Sequence, residues 1–387
     1  MTPRGDTGAD AVDILQRLIS FPTVSANSNL DLIAYCRRLL GAAGIDCRLY
    51  PSADGGKAGL AAVVGPMVTG GVVLSGHSDV VPTDGQTWTS DPWVLTKRGA
   101  RLHARGAADM KGFLALALSA AVRAATQPLK RPLVLAVSYD EEIGCAGGKI
   151  LARTMATDFP RPAIVIVGEP TRLEVVDGHK SYLSFKTTIT GRAIHSSRAD
   201  LGVSAIAAAA QLIALCSARM RRNARVSRAH TFEPPYTTIN CGLIEGGTGV
   251  STVAETAAFT TDIRCVPGER PADYASWFKG HARRLEKRMR ELHRGCGIVI
   301  DELTRIPGLE PDKEAARMVA RWSGTGQAGT VSYGTEAGLF QEQGWPTVVC
   351  GPGDIIQAHC ADEFIEESEI ARAAIFLDRA VRWLSED

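Results

Sequence analysis

The sequence predicts an α/β protein in which a three-layer domain with a mostly parallel sheet is interrupted by a smaller α+β domain. Short runs that are hydrophobic throughout, rather than alternating, indicate strands covered by helices on both faces. These runs are Gly71–Ser75, Leu133–Ser138, Ala163–Val167 and Thr347–Cys350. Helical segments that would form the covering layers lie at Ala11–Ile19, Asn29–Ala43, Met110–Ala125, Lys313–Trp322 and Glu367–Leu384.

The middle of the chain has a different pattern. Apolar and polar residues alternate over Tyr182–Thr190, which predicts a strand exposed on one face. This strand begins a βαββαβ order, the ferredoxin-like unit, whose other members are Gly202–Ser217, Thr237–Ile244, Thr256–Arg264, Ala272–Arg294 and Ile298–Leu303. We therefore expect residues 180–306 to form an inserted domain. Residues 1–179 and 307–387 would form the two parts of the larger domain.

Composition and charge bound the classes of function. The 387 residues suffice for two domains, and 45% of them are hydrophobic. Lys and Arg (43) balance Asp and Glu (42), so we expect neither a nucleic-acid partner nor an anionic membrane surface. The first twenty residues contain no uninterrupted apolar segment, which predicts no secretion signal. The nine cysteines never form a CxxC pair, and this pattern favours a cytoplasmic location.

Polar side chains follow each predicted strand of the parallel sheet. Open parallel sheets bind ligands beyond the carboxyl ends of their strands, so these side chains are expected to meet in one crevice. Asp109 joins them from the segment RGAADMKG, where a helix begins. The complete set is His77, Asp79, Asp109, Asp140, Glu141, Glu142, Glu169 and His359.

The chemistry of this set predicts bound metal ions. Carboxylates that lie close together repel one another, and burial of any of them is costly. A pair of divalent cations would remove that penalty. Mixed imidazole and carboxylate ligands suit Zn²⁺, with Co²⁺ or Mn²⁺ as alternatives, rather than Ca²⁺ or Mg²⁺. His77 and Asp79 lie on one face of an extended segment, where Asp79 can accept the second ring N–H of His77.

Seven segments in fixed order carry a family resemblance: GHSDVVP, GAADMKG, DEEIGC, GEPT, HSS, DIR and QAH. They resemble the acetylornithine deacetylase / succinyl-diaminopimelate desuccinylase / carboxypeptidase metallohydrolase family over nearly the whole chain. Stretches such as RGAADMKGF and CGPGDIIQAH are most similar to its acetylornithine deacetylase branch. The resemblance implies a zinc-peptidase-like catalytic domain and a ferredoxin-like lid and dimerisation domain.

The resemblance also implies a role for each matching residue of the catalytic domain. Asp109 would bridge two metal ions, with His77 and Glu169 completing one position and Glu142 and His359 the other. Glu141 would be the general base. Asp79 would orient His77, and the peptide bond between Asp109 and Met110 would be cis.

Further roles concern the substrate. By resemblance, His195 would stabilise the oxyanion from the partner subunit of a homodimer, and Arg264 would bind a substrate carboxylate. Asn240 and Glu336 are further candidate contacts, the latter for a cationic side chain such as that of ornithine. The expected reaction removes acetyl from an N-acetylated amino acid, N-acetylornithine first. A desuccinylase, an aminoacylase, a dipeptidase or carboxypeptidase, and a non-catalytic binding protein remain alternatives.

Overall fold

The computed structural model describes residues 7–226 and 229–386, which divide into two compact units. The large unit contains the residues up to Gly178, Leu309–Gly329 and the residues from Thr335 onward. The small unit contains His179–Gly308 and Thr330–Gly334. The insert was predicted at 180–306, and this prediction omits one segment of the small unit, Thr330–Gly334. Thr330 and Ser332 donate side-chain hydrogen bonds to the carbonyls of Thr231 and Glu233, which places this segment in the small unit.

The principal sheet has eight strands in the order β1-β2-β6-β3-β7-β14-β8-β13. Their bounds are Cys47–Pro51 (β1), Ala58–Val64 (β2), Val72–His77 (β3), Leu133–Ser138 (β6), Ile164–Pro170 (β7), Val176–His179 (β8), Gly329–Val331 (β13) and Thr347–Gly351 (β14). The central strands β6, β3, β7 and β14 are parallel to their neighbours in this group. They contain all four predicted apolar runs. The predicted α/β class with a mostly parallel sheet is confirmed.

The large unit also contains a small antiparallel sheet, in the order β15-β5-β4. Its strands are Thr96–Arg98 (β4), Arg101–His103 (β5) and Phe364–Glu366 (β15). These strands are too short to show a hydrophobic pattern, and the sequence analysis did not predict them. They matter for the site because β15 follows the loop that contains His359.

Helices of the large unit cover the sheet. Their bounds are Thr7–Ile19 (α1), Leu30–Ala42 (α2), Lys111–Ala124 (α3), Ala146–Asp158 (α4), Lys313–Ser323 (α7), Ala337–Gln341 (α8) and Glu367–Ser385 (α9). Helix α3 is buried along most of its length and packs against α1, α9 and the central strands. Helices α4 and α8 pack against each other and against sheet strands. The hydrophobic core of the large unit lies between these layers.

Helix α4 was not predicted, and its first turn explains why. It begins with Ala146-Gly147-Gly148, and glycine disfavours helix by about 1 kcal/mol per residue. The structure requires Gly147 nevertheless, because a Cβ there would lie 2.4 Å from the carbonyl oxygen of Tyr139. Close approach to the strand end therefore overrides helix propensity at this position.

The small unit contains β9 (Tyr182–Thr190), α5 (Ala205–Arg225), β10 (Thr238–Gly246), β11 (Thr256–Arg264), α6 (Pro271–Leu292) and β12 (Gly297–Ile306). The sheet order β10-β11-β9-β12, antiparallel throughout, is that of the predicted ferredoxin-like unit. The alternation of β9 is present, with Leu183, Phe185 and Ile189 buried and Lys186 exposed. Among the described residues of the whole chain, no helix has the length and apolar character needed to cross a membrane.

Two glycines test the packing around β7. A Cβ at Gly168 would lie 2.0 Å from the ring of Phe113, which is itself 1% exposed. We predict that Gly168→Ala lowers the free energy of unfolding by at least about 1–3 kcal/mol, because the core must shift. The control is Gly41→Ala, at an exposed position of α2 with nothing within 4 Å of the new Cβ. This change should raise the free energy of unfolding by up to about 1 kcal/mol. Urea denaturation measures both; a Gly168→Ala variant as stable as the parent contradicts this packing.

Candidate metal centre

The register of three parallel strands brings their polar residues together. His77 ends β3 and lies opposite Ser138, the last residue of β6. Glu169 lies near the end of β7, on the other side of β3. Because parallel strands end at one edge of the sheet, residues that are distant in the sequence become neighbours there. His77 is fully buried and Glu169 is 4% exposed.

Asp109 lies between two imidazoles. It precedes α3, joined to Met110 by a cis peptide bond, and its side chain is 6% exposed. One carboxylate oxygen, Oδ1, lies 3.1 Å from His77 Nε2. The other, Oδ2, lies 3.5 Å from His359 Nε2. A single carboxylate thus faces both histidines, one with each oxygen.

Each imidazole also faces a second carboxylate. Glu169 Oε1 lies 3.9 Å from His77 Nε2, and Glu142 Oε2 lies 2.9 Å from His359 Nε2. Candidate ligand atoms of His77, Asp109 and Glu142 all lie within 4.8 Å of one another, and so do those of His77, Glu141 and Glu169. The five residues expected to bind metal therefore form one cluster, with Asp109 at its centre.

Burial shifts the pKa of most groups in the cluster. Loss of hydration raises the pKa of Glu169 well above its ordinary value, and the Asp109 charge raises it further. The same two causes raise the pKa of Glu142. Hydrogen bonds with Asp109 and Glu142 raise the pKa of His359 to about 10. Burial by itself lowers the pKa of His77, but its carboxylate neighbours raise it overall.

These shifts indicate a site that binds positive charge. Protonated imidazoles and carboxylic acids are what a crowded set of bases becomes when protons alone are available to it. Divalent cations replace those protons, since metal ligands must be deprotonated. The donor set of two imidazoles and several carboxylates fits Zn²⁺ or a similar transition metal. The residues present therefore fit a pair of divalent cations.

The expected contact from Asp79 to His77 is wrong in detail. The Nδ1 atom of His77 lies 2.8 Å from the backbone carbonyl oxygen of Asp79 but 3.7 Å from its carboxylate. That carboxylate instead accepts hydrogen bonds from Ser25 Oγ (2.6 Å) and from the backbone N–H groups of Glu141 and Glu142. Asp79 thus orients His77 through its main chain, and its side chain holds the Glu141–Glu142 turn.

Glu141 and Asp140 differ in their surroundings although they are adjacent. The Asp140 carboxylate pairs with the ammonium group of Lys57, which keeps it out of the metal cluster. The Glu141 side chain accepts a hydrogen bond from Cys145 Sγ at 3.3 Å. Burial raises the pKa of Glu141, although the charge of His77 opposes this. Glu141 therefore has the raised proton affinity that a proton-transfer group requires.

Glu336 does not have the surroundings expected of a substrate contact, and that prediction is corrected. It is fully buried, and its two carboxylate oxygens accept hydrogen bonds from Ser75 Oγ (2.7 Å) and Ser138 Oγ (2.6 Å). Ser75 and Ser138 belong to the neighbouring strands β3 and β6. Glu336 therefore ties two strands together beneath the metal cluster. Its exposed-loop character in the sequence, GTEAG, gave no sign of this burial.

The remaining predicted residues lie in the small unit. His195 is exposed, and its Nδ1 accepts a hydrogen bond from the backbone N–H of Ser197 at 3.2 Å. In the neutral imidazole the proton is then on Nε2, which is therefore a donor. Arg264 lies on β11, with its Nη2 3.6 Å from Asp262 Oδ2. Its guanidinium group lies over the ring of Tyr182. Asn240 lies opposite Asp262 on the neighbouring strand β10 and is exposed.

Three further residues surround the cluster without having been predicted: Gln86, Arg105 and Glu363. Arg105 and Glu363 form an ion pair in which both side chains are 1% exposed. A fully buried ion pair is rare unless other groups satisfy both charges. The sequence carries a weak signal for Glu363. In the segment HCADEFI, which begins at His359, two acidic residues come immediately before the apolar pair Phe364–Ile365.

Fold and cluster together define a class. A doubly covered parallel sheet, with His and carboxylate donors paired around a shared aspartate at the strand ends, is an arrangement for metal-dependent hydrolysis. The chain matches the peptidase family M20/M25/M40 over residues 73–383. The protein belongs to this family, whose members include hydrolases that act on amide bonds. The predicted membership of this metallohydrolase group is confirmed.

Relatives in sequence agree with this assignment, and a solved structure has the same fold. An acetylornithine deacetylase of Myxococcus xanthus is 35% identical over 377 residues, which are 95% of each chain. An acetylornithine deacetylase of Salmonella typhimurium is 33% identical and covers 92% of each chain. An M20 metallo-carboxypeptidase from Sulfolobus solfataricus, 18% identical, has the same fold with a TM-score of 0.76, covering 97% of this chain and 99% of that one.

Removal of metal tests the cluster. We predict that chelation lowers the melting temperature by about 5 °C or more, because uncompensated carboxylates then repel one another and ligand-linked stabilisation is lost. Thermal unfolding by circular dichroism, with and without added Zn²⁺, measures this shift. The control is Asp109→Asn, which should respond much less to Zn²⁺. An unchanged melting temperature in protein shown by elemental analysis to have lost its metal contradicts the assignment.

Proposed function

We propose that this protein removes the acetyl group from an N-acetylated amino acid, with N-acetylornithine as the first candidate. The observation that carries the proposal is the position of Asp109 between the imidazoles of His77 and His359. The choice of substrate is supported by the acetylornithine deacetylases that are 33–35% identical over most of the chain. A cytosolic location accords with such a substrate.

The ligand assignment follows the contacts of the cluster. Asp109 is the shared ligand; His77 and Glu169 complete one position, and Glu142 and His359 the other. Zn²⁺ is the metal that the donors favour, with Co²⁺ and Mn²⁺ as alternatives. Bound in these positions, the cations would supply Lewis acidity, which polarises a carbonyl group and brings the pKa of water towards about 7.

Glu141 is the group that moves the proton. It lies in the cluster with His77 and Glu169, and its proton affinity is raised by burial. As the attacking water adds to the acetyl carbonyl carbon, Glu141 accepts its proton. Glu141 then delivers this proton to the departing amine, which leaves as the carbon–nitrogen bond breaks. General catalysis of this kind contributes about 10²–10⁴ in rate.

The residues that the resemblance assigns to the substrate belong to the small unit. The proton on His195 Nε2 suits a donor to the developing oxyanion. Arg264 offers a guanidinium fork to a carboxylate, and its stacking on Tyr182 holds the plane of that fork. Asn240 is exposed on the adjacent strand, where its amide can contact the same carboxylate.

A homodimer belongs to this proposal. The edge strands of the small unit are β10 and β12, and edge strands present unpaired backbone groups for pairing. Exposed apolar residues accompany both edges: Leu243 and Ile244 on β10, and Val299 and Leu303 on β12. Pairing of one of these edges with a second copy would bury its apolar residues, and the resemblance implies that His195 of one subunit would then serve the other.

A substrate panel tests the proposal. N-acetylornithine, N-succinyl-diaminopimelate, N-acetylmethionine and dipeptides are compared by kcat/KM at equal metal loading. We expect N-acetylornithine to be preferred by at least tenfold. Glu336 is fully buried and accepts hydrogen bonds from two serines, so another residue must provide any preference for a cationic side chain. A preference for the succinyl compound, the apolar acetyl compound or a dipeptide assigns the corresponding rival activity, and no turnover of any compound by the metal-loaded protein rejects hydrolysis.

Glu141→Gln tests the proton-transfer role. The variant keeps the shape of the side chain and the backbone N–H that Asp79 accepts, so metal content should remain that of the parent. We expect kcat to fall by about 10²–10⁴ because the amide cannot accept a proton. The control is Glu174→Gln, at an exposed position of the same unit. Turnover within threefold of the parent would exclude Glu141 as the general base.

A further inference from the structure

Three side chains of the large unit join the loop that contains Asp109 to the loop that contains His359. These are Gln86, Arg105 and Glu363, called here the Gln86–Arg105–Glu363 network. None of them is among the expected metal ligands or catalytic groups. Their contacts reach the backbone of both loops, so the network is placed to set the distance between the two histidine positions of the cluster.

The carboxylate of Glu363 accepts hydrogen bonds from the loop that contains Asp109. Its Oε1 accepts hydrogen bonds from the backbone N–H groups of Ala108 (2.9 Å) and Asp109 (3.1 Å). Its Oε2 accepts from the N–H of Gly106 (3.0 Å) and from Arg105 Nη1 (2.7 Å). One buried carboxylate thus takes four donors from five consecutive residues. Hydrogen bonds to an ionised acceptor are strong and directional, so this loop is fixed around Glu363.

Gln86 connects that loop to the second one. Arg105 Nη2 donates to Gln86 Oε1 at 2.5 Å, and Gln86 Nε2 donates to the carbonyl oxygen of His359 at 2.8 Å. Arg105 also reaches the carbonyl oxygen of Cys360, at 3.3 Å. The amide of Gln86 therefore uses both of its ends, one on each loop.

The two imidazoles of the cluster differ in how firmly the protein holds them. His77 is fully buried within β3, and its Nδ1 lies 2.8 Å from the carbonyl oxygen of Asp79. His359 has a side chain that is 54% exposed. Its backbone is left-handed, with φ 61°, a conformation that residues other than glycine rarely adopt. The position of His359 therefore depends on contacts to its backbone.

We propose that the Gln86–Arg105–Glu363 network is a positioning device with separable effects on the two metal positions. Glu363 places Asp109, the shared ligand, and so affects both positions. Gln86 holds the backbone of His359 directly and reaches the Asp109 loop only through Arg105, and so affects chiefly the position formed by Glu142 and His359. This inference rests on the proposed two-cation function of the same cluster.

The test compares Gln86→Met with Gln341→Met. Methionine keeps the length of glutamine and removes all three side-chain hydrogen bonds of Gln86, including the one that Trp88 Nε1 donates to its Oε1 at 3.2 Å. Gln341 is a matched control because it is also half-buried and also bonds with both ends of its amide, to the N–H and carbonyl of Glu310 at 2.7 and 2.8 Å. Each chelated protein is titrated with Zn²⁺ by calorimetry. Melting temperature and kcat at limiting and saturating Zn²⁺ are also measured.

We expect Gln86→Met to bind one equivalent of Zn²⁺ like the parent and the other at least tenfold more weakly. Its kcat should be low at limiting Zn²⁺ and recover at saturation, with a melting temperature of the saturated protein close to that of Gln341→Met. Titrations in which Gln86→Met matches Gln341→Met, or in which both equivalents weaken equally, overturn the separable role. A parent protein that does not bind two equivalents overturns the proposed function instead, so the two failures are distinguishable.

Glu363→Gln provides the second arm. Its control is Glu366→Gln, three residues further along the chain on β15, which begins at Phe364. The side chain of Glu366 pairs with Arg101 at the surface, and this contact involves neither of the two loops of the cluster. The new amide of Glu363→Gln directs N–H groups at backbone donors, so the loop of Asp109 must move. We expect both equivalents of Zn²⁺ to weaken at least tenfold, unlike those of Glu366→Gln. Parent-like titration of a folded Glu363→Gln contradicts the placement of Asp109 by Glu363.

Discussion

Repulsion among buried carboxylates is the constraint on which the rest of the large unit depends. Asp109, Glu142 and Glu169 are nearly buried and lie within a few ångströms of two imidazoles. Burial raises the pKa of Glu142 and of Glu169, and the Asp109 charge raises both further. A fold can hold such a group only if positive charge enters with it. The parallel strand ends concentrate these side chains, and the surrounding loops must resist the tendency of the side chains to separate.

Backbone N–H groups provide much of that resistance. The carboxylate of Asp79 accepts hydrogen bonds from Glu141 and Glu142 and thereby holds the turn after β6. The carboxylate of Glu363 accepts them from three residues of the Asp109 loop. Both carboxylates act on the main chain of segments that contain metal-binding side chains. The loops that contain the metal-binding residues are therefore irregular in backbone conformation, but the carboxylates of Asp79 and Glu363 satisfy their N–H groups.

The sequence could predict the features that depend on local pattern. Continuous hydrophobicity gave the central strands, alternation gave β9, and the order of elements gave the ferredoxin-like unit. It could not predict features that depend on tertiary contacts. Residues 330–334 join the small unit through two hydroxyl groups, which leave no pattern. Helix α4 begins against glycine propensity because Gly147 must approach β6 closely. Glu336 resembled a solvated loop residue, yet two serines from different strands make its burial possible.

Hydrogen-bond satisfaction distinguishes the acidic residues that build the site from those that bind within it. Protein donors occupy the oxygens of three acidic residues: Asp79, Glu336 and Glu363. In the described part of the chain, the carboxylates of a second set of acidic residues contact imidazoles. This set contains Asp109, Glu142 and Glu169. A buried carboxylate whose oxygens already accept hydrogen bonds from the protein needs no cation, whereas one that faces only imidazoles and other carboxylates requires one. Residue type is the same in both groups, so sequence alone made Glu336 a candidate substrate contact and gave no sign of its structural role. The partners of each oxygen decide the matter, and they exist only in the folded chain.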